Sequence, residues 1–315
     1  MWKYILKRIS IAAVTILIIL FILFILLEFM PGTPFDMTEG KITDEQIAVL
    51  YAKYGLDKPI IYRFVLYVKN MLSGDFGVSY NIQNNMPISQ MLTGRLALST
   101  MIGVQAMLVG VFFGLILGIF AALKHNTPLD SGVTVLSMIG ASVPSYVFAL
   151  GLAYLLAFKL KMFPLLYDSK NEFISTILPT IALSFSPIAS IARYSRTEMI
   201  EVLDTDYIQL AEAKGIGRFA VICKHGLHNA LIPILTIMGP MLVGLMSGST
   251  VVETVFSVPG VGNLFINALQ MNDYNVAITL AFIFSSEYIV MMLVVDILYG
   301  IIDPRIRVAG GKNNG

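Results

Sequence analysis

The stretch DTDYIQLAEAKG, residues 204–215, lies inside a polar segment, residues 193–229, that separates two long apolar segments. Asp204 or Thr205 can begin a helix there, because a short side-chain oxygen accepts hydrogen bonds from the unpaired amides of a first turn. Gly215 can end the same helix, because glycine adopts the left-handed conformation of a helix C-terminus without steric cost. The stretch therefore predicts a capped helix about 15 Å long.

The predicted helix has an apolar face. Tyr207, Leu210 and Ala211 share it, because residues three and four positions apart are neighbours on a helix surface. A short helix of this kind, held at a membrane surface, is suited to fit a groove on a partner protein. We therefore predict that it docks onto a cytosolic partner.

The composition is that of a membrane protein. The 315 residues are 57% hydrophobic and 13% charged, with a mean hydropathy of +0.79. A net charge of +1 does not indicate nucleic-acid binding. An all-α fold with six transmembrane helices is predicted, because six apolar segments can cross about 30 Å of hydrocarbon. They are residues 9–30, 96–123, 132–158, 173–192, 230–252 and 276–302.

The positions of Lys and Arg predict the orientation. The two short outer loops contain only Lys159, Lys161 and Lys170, whereas most other basic residues flank the opposite ends of the spans. Both termini are therefore expected in the cytosol, where positively charged loops stay. The expected division is a cytosolic amino terminus with the first span, 1–30, an extracytoplasmic segment, 31–95, a five-helix core, 96–302, containing the cytosolic loop 193–229, and a cytosolic tail, 303–315.

Residues 31–95 carry the signals of a small folded cap. TDEQ at 43–46 is a capping-box pattern that opens a helix, and Gly55 can close it. Pro59 stands where a second helix begins, and GDFG at 74–77 predicts a turn. The second helix has an apolar stripe of Ile61, Phe64, Val65, Val68 and Leu72. The cap is either a docking site for an extracytoplasmic partner or a lid over the helix bundle.

Prolines interrupt three of the later spans, as in transporters that expose a central path alternately to the two sides. They are Pro144, Pro179, Pro187, Pro233 and Pro240.

Glu287 and Asp296 lie about 14 Å apart along the last span. They are either part of a translocation path or proton relay, or hydrogen-bonded carboxyl groups inside the bundle. Glu253 is expected near the outer interface.

Several kinds of chemistry are not indicated. No GxxxxGK[S/T] run exists, so the chain is not expected to bind ATP through a phosphate loop. His225 and His228 are three residues apart, but two ligands without a third do not make a zinc site. We expect no catalytic residue, no metal and no cofactor of its own.

An ordered series of motifs runs along nearly the whole chain. AEAKG at 211–215 is followed by His225, Asn229 and Pro233. The other motifs are MPGTP at 30–34, GDFGVS at 74–79, SVPSY at 142–146, VETVFSVPGVG at 252–262 and DPR at 303–305. The series resembles the permeases of ABC importers, in particular the dipeptide and oligopeptide branch, and so implies the type I permease fold.

The resemblance implies a non-enzymatic subunit of a larger importer in the cell membrane. A second related permease, two cytosolic ATPases that bind the ATP, and an extracytoplasmic peptide-binding protein would complete it. The residues implied to contact an ATPase are Gln209, Leu210, Ala211, Glu212, Ala213, Lys214 and Gly215. Gln209 departs from the wider family, which has Glu at that position.

Uptake of oligopeptides is the function that the resemblance favours. Related permeases carry dipeptides, nickel or other small solutes. From the residues alone, a stand-alone proton-coupled carrier using Glu287 and Asp296 is the alternative. That carrier would need only a proton gradient, whereas an importer would need ATP and partner subunits.

Overall fold

The structure, a computed structural model, describes residues 2–29, 48–49, 51–52 and 55–302. The secondary structure of this part is helical apart from one isolated bridge between Val78 and Pro87. The helices are α1 (Trp2–Glu28), α2 (Ile60–Leu72), α3 (Ile88–Leu92), α4 (Arg95–Leu123), α5 (Pro128–Ser142), α6 (Ser145–Leu152), α7 (Glu172–Leu203), α8 (Asp206–Ala213), α9 (Arg218–Ala220), α10 (His228–Met246), α11 (Thr250–Val255), α12 (Val261–Gln270) and α13 (Tyr274–Ile302). Two π-helical segments, Ala153–Lys159 and Val221–Leu227, continue α6 and α9.

The described helices include five stretches that are long and apolar enough to cross a membrane. A sixth span results if α5 and α6, with its π-helical continuation, count as one span bent by 97°. The predicted all-α fold with six spans is confirmed, with the difference that one span is broken.

Pro144 lies at the break in that span. Val143, which precedes it, has extended backbone angles, because the proline ring disfavours the helical conformation of the preceding residue. The other four intramembrane prolines lie inside the continuous helices α7 and α10 and do not end them. Among these five prolines, only Pro144 therefore lies at a break between two helices.

The chain forms two compact units. One consists of Met1–Leu98 and Pro259–Ile289, and the other of Ser99–Val258 and Val290–Gly315. The core of the first unit is formed by α1, α2, α3, α12 and α13. Helix α12 has no counterpart among the predicted elements.

Helix α2 packs on the first unit's core through a different face from the one predicted. Its core-facing side chains are Phe64, Tyr67, Val68 and Met71. Three members of the predicted stripe, Ile61, Val65 and Leu72, are exposed, so the prediction is wrong for them. The buried set follows the i, i+3, i+4, i+7 spacing of one helix face. The sequence pattern does not reveal it clearly, because Tyr67 carries a polar hydroxyl and is not counted as apolar in the predicted stripe. The Tyr67 hydroxyl has a partner, because it lies 3.0 Å from the Thr279 hydroxyl.

The segment before α2 agrees with its turn signals where it is described. Gly55 has a φ of +67°, and the Leu56 N–H donates to the Tyr51 carbonyl at 2.8 Å, so Gly55 closes a helical turn as predicted. Pro59 immediately precedes α2. The capping box at 43–46 lies outside the described residues.

A buried carboxylate, Asp273, binds residues 79–82 to the start of α13, and we call this set of hydrogen bonds the clamp. Asp273 is fully buried and accepts a hydrogen bond from the Ser79 hydroxyl. It also accepts hydrogen bonds from the backbone N–H groups of Tyr80, Asn81 and Ile82. Several donors around one carboxylate compensate the cost of removing it from water. The turn before this clamp is formed as predicted, since Gly77 N–H donates to Asp75 Oδ1 at 2.9 Å.

In the second unit, glycines bring α4 and α7 into close contact. Gly110, Gly114 and Gly118 recur every four residues and form one stripe along α4. The α7 side chains opposite them are Pro187, Ile191 and Ser195. Cβ atoms on the three glycines would lie 2.3, 2.8 and 1.8 Å from the nearest atoms of these side chains. Small residues allow such an approach, which provides the van der Waals contact that holds membrane helices together.

Glu253, which the sequence places near the outer interface, is buried inside the protein. The chain turns at Gly248, where φ is +81°, and α11 then packs against α6 and α7. The Glu253 side chain is enclosed with 4% of the residue exposed. It accepts a hydrogen bond from the Ser99 hydroxyl at 2.9 Å.

Candidate functional site at helix α8

Helix α8 forms where the sequence predicts a helix, but its N-terminus is not capped by a side chain. Thr205 has extended backbone angles and precedes the first helical residue, Asp206. The Thr205 hydroxyl donates to the Val202 carbonyl at 2.6 Å and makes no capping hydrogen bond to α8. The predicted side-chain cap at Asp204 or Thr205 is therefore wrong, because the Thr205 hydroxyl is used at the end of α7.

The C-terminus of α8 ends at Gly215 as predicted. Gly215 has a φ of +80°, and its N–H donates to the Glu212 carbonyl at 2.9 Å. The next N–H, of Ile216, reaches back to the Ala211 carbonyl at 3.2 Å. These two bonds form a Schellman motif, which satisfies helix carbonyls that would otherwise lack a partner. A Cβ atom on Gly215 would meet nothing within 4 Å, so its backbone angle alone requires glycine.

The two sides of α8 have different neighbours. Ile208 and Ala211 are buried together with Val221 from the following π-helical segment. The predicted grouping of Ala211 with the exposed Tyr207 and Leu210 is therefore wrong. Ala211 is turned inward because the chain after Gly215 folds back beneath α8.

The remaining residues of the predicted contact set are exposed. They are Gln209, Leu210, Glu212, Ala213, Lys214 and Gly215. Asp206, Gln209, Leu210 and Ala213 follow the i, i+3, i+4, i+7 spacing, and they form the face opposite the buried one. We call these four residues the outward face of α8.

Two exposed apolar residues that the sequence motifs do not single out follow α8 along the chain. Ile216 is exposed, and 80% of Phe219 is exposed, although both follow the helix within a few residues. An exposed group of large apolar side chains on an otherwise polar segment is typical of a protein contact. The sequence gives no clear signal for them, because Phe219 begins the continuous apolar run FAVIC at 219–223, in which Val221 is buried.

Helix α8 is joined to two long helices. Only Asp204 and Thr205 separate it from α7. The Asn229 amide of α10 donates to the Tyr207 hydroxyl at 3.1 Å. Helix α8 is therefore connected to α7 by two residues and to α10 by a hydrogen bond.

The two predicted intramembrane carboxyl groups lie on α13. Glu287 is half-buried, and its Oε2 atom has no hydrogen-bond partner among the residues that the structure describes. The Oγ of the adjacent Ser286 also lacks one there. The side chain of Asp296 lies outside the described part, as do those of His225 and His228.

Two family models match the chain. The model described as the binding-protein-dependent transport system inner membrane component matches residues 114–308. The model for the N-terminal part of such membrane components matches residues 1–103.

Similar proteins match over nearly their full length. The dipeptide transport system permease protein DppB of Lactococcus lactis is 41% identical over 98% of this chain and 100% of that protein. DppB of Bacillus subtilis is 37% identical, with 98% of each chain covered. The oligopeptide transport system permease protein OppB of Salmonella typhimurium is 37% identical over 98% of this chain and 100% of its own.

Solved structures show the same fold at low sequence identity. A chain of the MetNI methionine ABC transporter, in inward-facing conformations, has a TM-score of 0.57 and 15% identity, covering 68% of this chain and 97% of its own. A chain of an amino acid ABC transporter has a TM-score of 0.52 and 15% identity, covering 67% and 93%. The fold is that of an ABC-importer permease.

Proposed function

Because this chain belongs to the family of binding-protein-dependent transport system inner membrane components, we propose that it is a permease subunit for the uptake of oligopeptides. The relatives named dipeptide and oligopeptide permeases support a peptide substrate. Dipeptides are the second candidate, since the relative at 41% identity carries that name. Proteins of this family are not catalytic, and ATP is hydrolysed by separate subunits.

The chain works with three kinds of partner protein in this proposal. A second related permease completes the membrane path, two ATPases bind ATP on the cytosolic side, and a binding protein delivers the peptide from the other side. Both termini and the 193–229 segment face the cytosol, which agrees with the excess of Lys and Arg there. The chain itself then needs no cofactor.

The outward face of α8 is the observation that carries the proposal. A short helix, ended by a Schellman motif at Gly215 and backed by buried Ile208 and Ala211, presents Gln209, Leu210 and Ala213 to a partner. A groove on an ATPase is the partner surface that fits it. Closure of the ATPases would displace α8 and, through its connections to α7 and α10, the transmembrane helices.

Purification with a tag on this chain, from its native membrane in mild detergent, tests the proposal. A second permease and ATPases should co-purify, and the reconstituted complex should take up peptide only with ATP and binding protein. A series of peptides from two to six residues then decides between the dipeptide and oligopeptide alternatives. A chain that purifies alone and transports without ATP would contradict the proposal.

A stand-alone proton-coupled carrier is the competing function. Among the residues that the structure describes, Glu287 Oε2 has no hydrogen-bond partner, and this favours the carrier because an ionisable group inside a membrane span is a candidate for proton transfer. Replacing Glu287 by Gln separates the two, since uptake driven by a proton gradient would be lost whereas ATP-driven uptake would persist.

A further inference from the structure

The start of α5 is bound to α7 by a two-point ion pair. Arg196 of α7 donates from Nε to Oδ1 of Asp130 and from Nη2 to Oδ2 at 2.8 Å. Asp130 lies in the first turn of α5 and is 4% exposed. A planar guanidinium held at both carboxylate oxygens fixes orientation as well as distance.

The same carboxylate also fixes the turn that precedes α5. The Asn126 N–H donates to Asp130 Oδ2 at 3.0 Å, and Nδ1 of His125 lies 3.3 Å from that oxygen. A negative charge at this position also agrees with the positive end of the α5 dipole. Asp130 therefore cannot rotate away from Arg196 without losing its contacts with Asn126 and His125.

A second close contact joins the other end of α5 to α7. A Cβ atom on Gly140 would lie 2.9 Å from the Cβ of Ala189 and 3.2 Å from the Phe185 carbonyl oxygen. Gly140 is ten residues from Asp130, about 15 Å along α5. Two contacts at this separation suppress both rotation and sliding of one helix against the other.

Apolar side chains pack the end of α7 against other parts of the second unit. Met199 is buried with Ala122 and Ala230. Contacts between such side chains permit small sliding movements, as in shear motions of packed helices. The ion pair to α5 is directional and does not permit this.

We propose that the Asp130–Arg196 pair is a positioning contact that makes α5 follow α7 when a partner displaces α8. Arg196 lies on α7 eight residues before Asp204, where the connection to α8 begins. Helix α5 ends at the Pro144 break, so the movement reaches the hinge of the bent span. The inference rests on the proposed function, because it requires that α8 receives the displacement.

The test uses the whole complex with Asp130→Asn and, separately, Arg196→Lys, which keeps the charge and removes the two-point geometry. The measurement is peptide uptake per ATP hydrolysed, together with the amount of ATPase subunit that co-purifies. Glu201→Gln is the matched control, because it removes an exposed carboxylate near the end of α7. We expect uptake per ATP to fall about tenfold in both variants, with normal subunit assembly and no change in the control.

A covalent link provides the second arm. In a Cys223→Ser background, the double variant Asp130→Cys/Arg196→Cys should lose uptake per ATP and regain it after treatment with a short bifunctional maleimide. An unchanged ratio in Asp130→Asn, a fall caused only by lost assembly, or no recovery on cross-linking would each overturn the inference. Failure of the proposed function would be seen separately, as a wild-type chain without ATPase partners or ATP-driven uptake.

Discussion

Gly118 of α4 and Ser195 of α7 are so close that a Cβ atom on the glycine would lie 1.8 Å from the serine Oγ. The same atom would lie 2.5 Å from the Ala192 carbonyl oxygen, so a change of the Ser195 rotamer would not make room for it. The Ser195 hydroxyl is within hydrogen-bond distance of the Ala192 carbonyl, at 3.2 Å. The backbones of α4 and α7 are therefore in contact at this point, at the end of the stripe that begins with Gly110.

Gly118→Ala should separate α4 from α7 and destabilise the protein. Overpacking of a close contact costs about 1–3 kcal/mol, and thermal unfolding of the detergent-solubilised complex measures the loss. Gly151→Ala is the control, because Gly151 lies in α6 and a Cβ atom added there would meet nothing within 4 Å. A midpoint that falls equally in both variants, or in neither, would contradict the close contact.

The sequence predicts part of the local conformation, although not the start of α8, which lacks the expected side-chain cap. The left-handed angle at Gly215 and the break at Pro144 follow from the residues at those positions and their immediate neighbours. The Gly110, Gly114 and Gly118 stripe is likewise readable as a repeat of small residues, although its partner on α7 is not.

Burial is harder to predict because it depends on segments that are distant in sequence. Ala211 is buried because Val221 folds back onto it, and no spacing within 206–213 reveals that. Glu253 is buried because the chain reverses at Gly248, which brings Ser99 to its carboxylate. In both cases a side chain's environment is set by a chain reversal several residues away.

Asp273→Ala should release residues 79–82 from the start of α13. The substitution leaves the Ser79 hydroxyl and three backbone N–H groups without their acceptor, and each unpaired buried group costs about 1–3 kcal/mol. Hydrogen exchange of residues 79–82, measured by mass spectrometry on the solubilised complex, should accelerate. Asp57→Ala is the control, because Asp57 forms a surface pair with Lys58 at 3.4 Å. Exchange that stays at the wild-type rate in Asp273→Ala would rule out the clamp.

Leu210→Asp and Ala211→Asp should have different consequences although the residues are adjacent. Leu210 is 55% exposed, so Leu210→Asp should leave the chain as stable as wild type and weaken ATPase binding by about 2 kcal/mol or more. Ala211→Asp places a carboxylate beside Val221 and should destabilise the α8 region itself. Pull-down of the ATPase subunits and thermal unfolding of the permease distinguish the two effects. Equal loss of stability in both variants would disprove the assignment of an outward and an inward face.

Gly215→Val should impair coupling of α8 to transport. A β-branched residue at a φ of +80° is strained by about 1–3 kcal/mol, so the Schellman motif should open and the end of α8 should unwind. We expect ATP-dependent peptide uptake to fall about tenfold, with a matching loss of ATPase stimulation by the peptide-loaded binding protein. Gly217→Val is the control, because Gly217 has a φ of −60° and also has nothing within 4 Å of a Cβ atom. If both variants transported at the wild-type rate, a rigid C-terminus of α8 would not be needed for coupling.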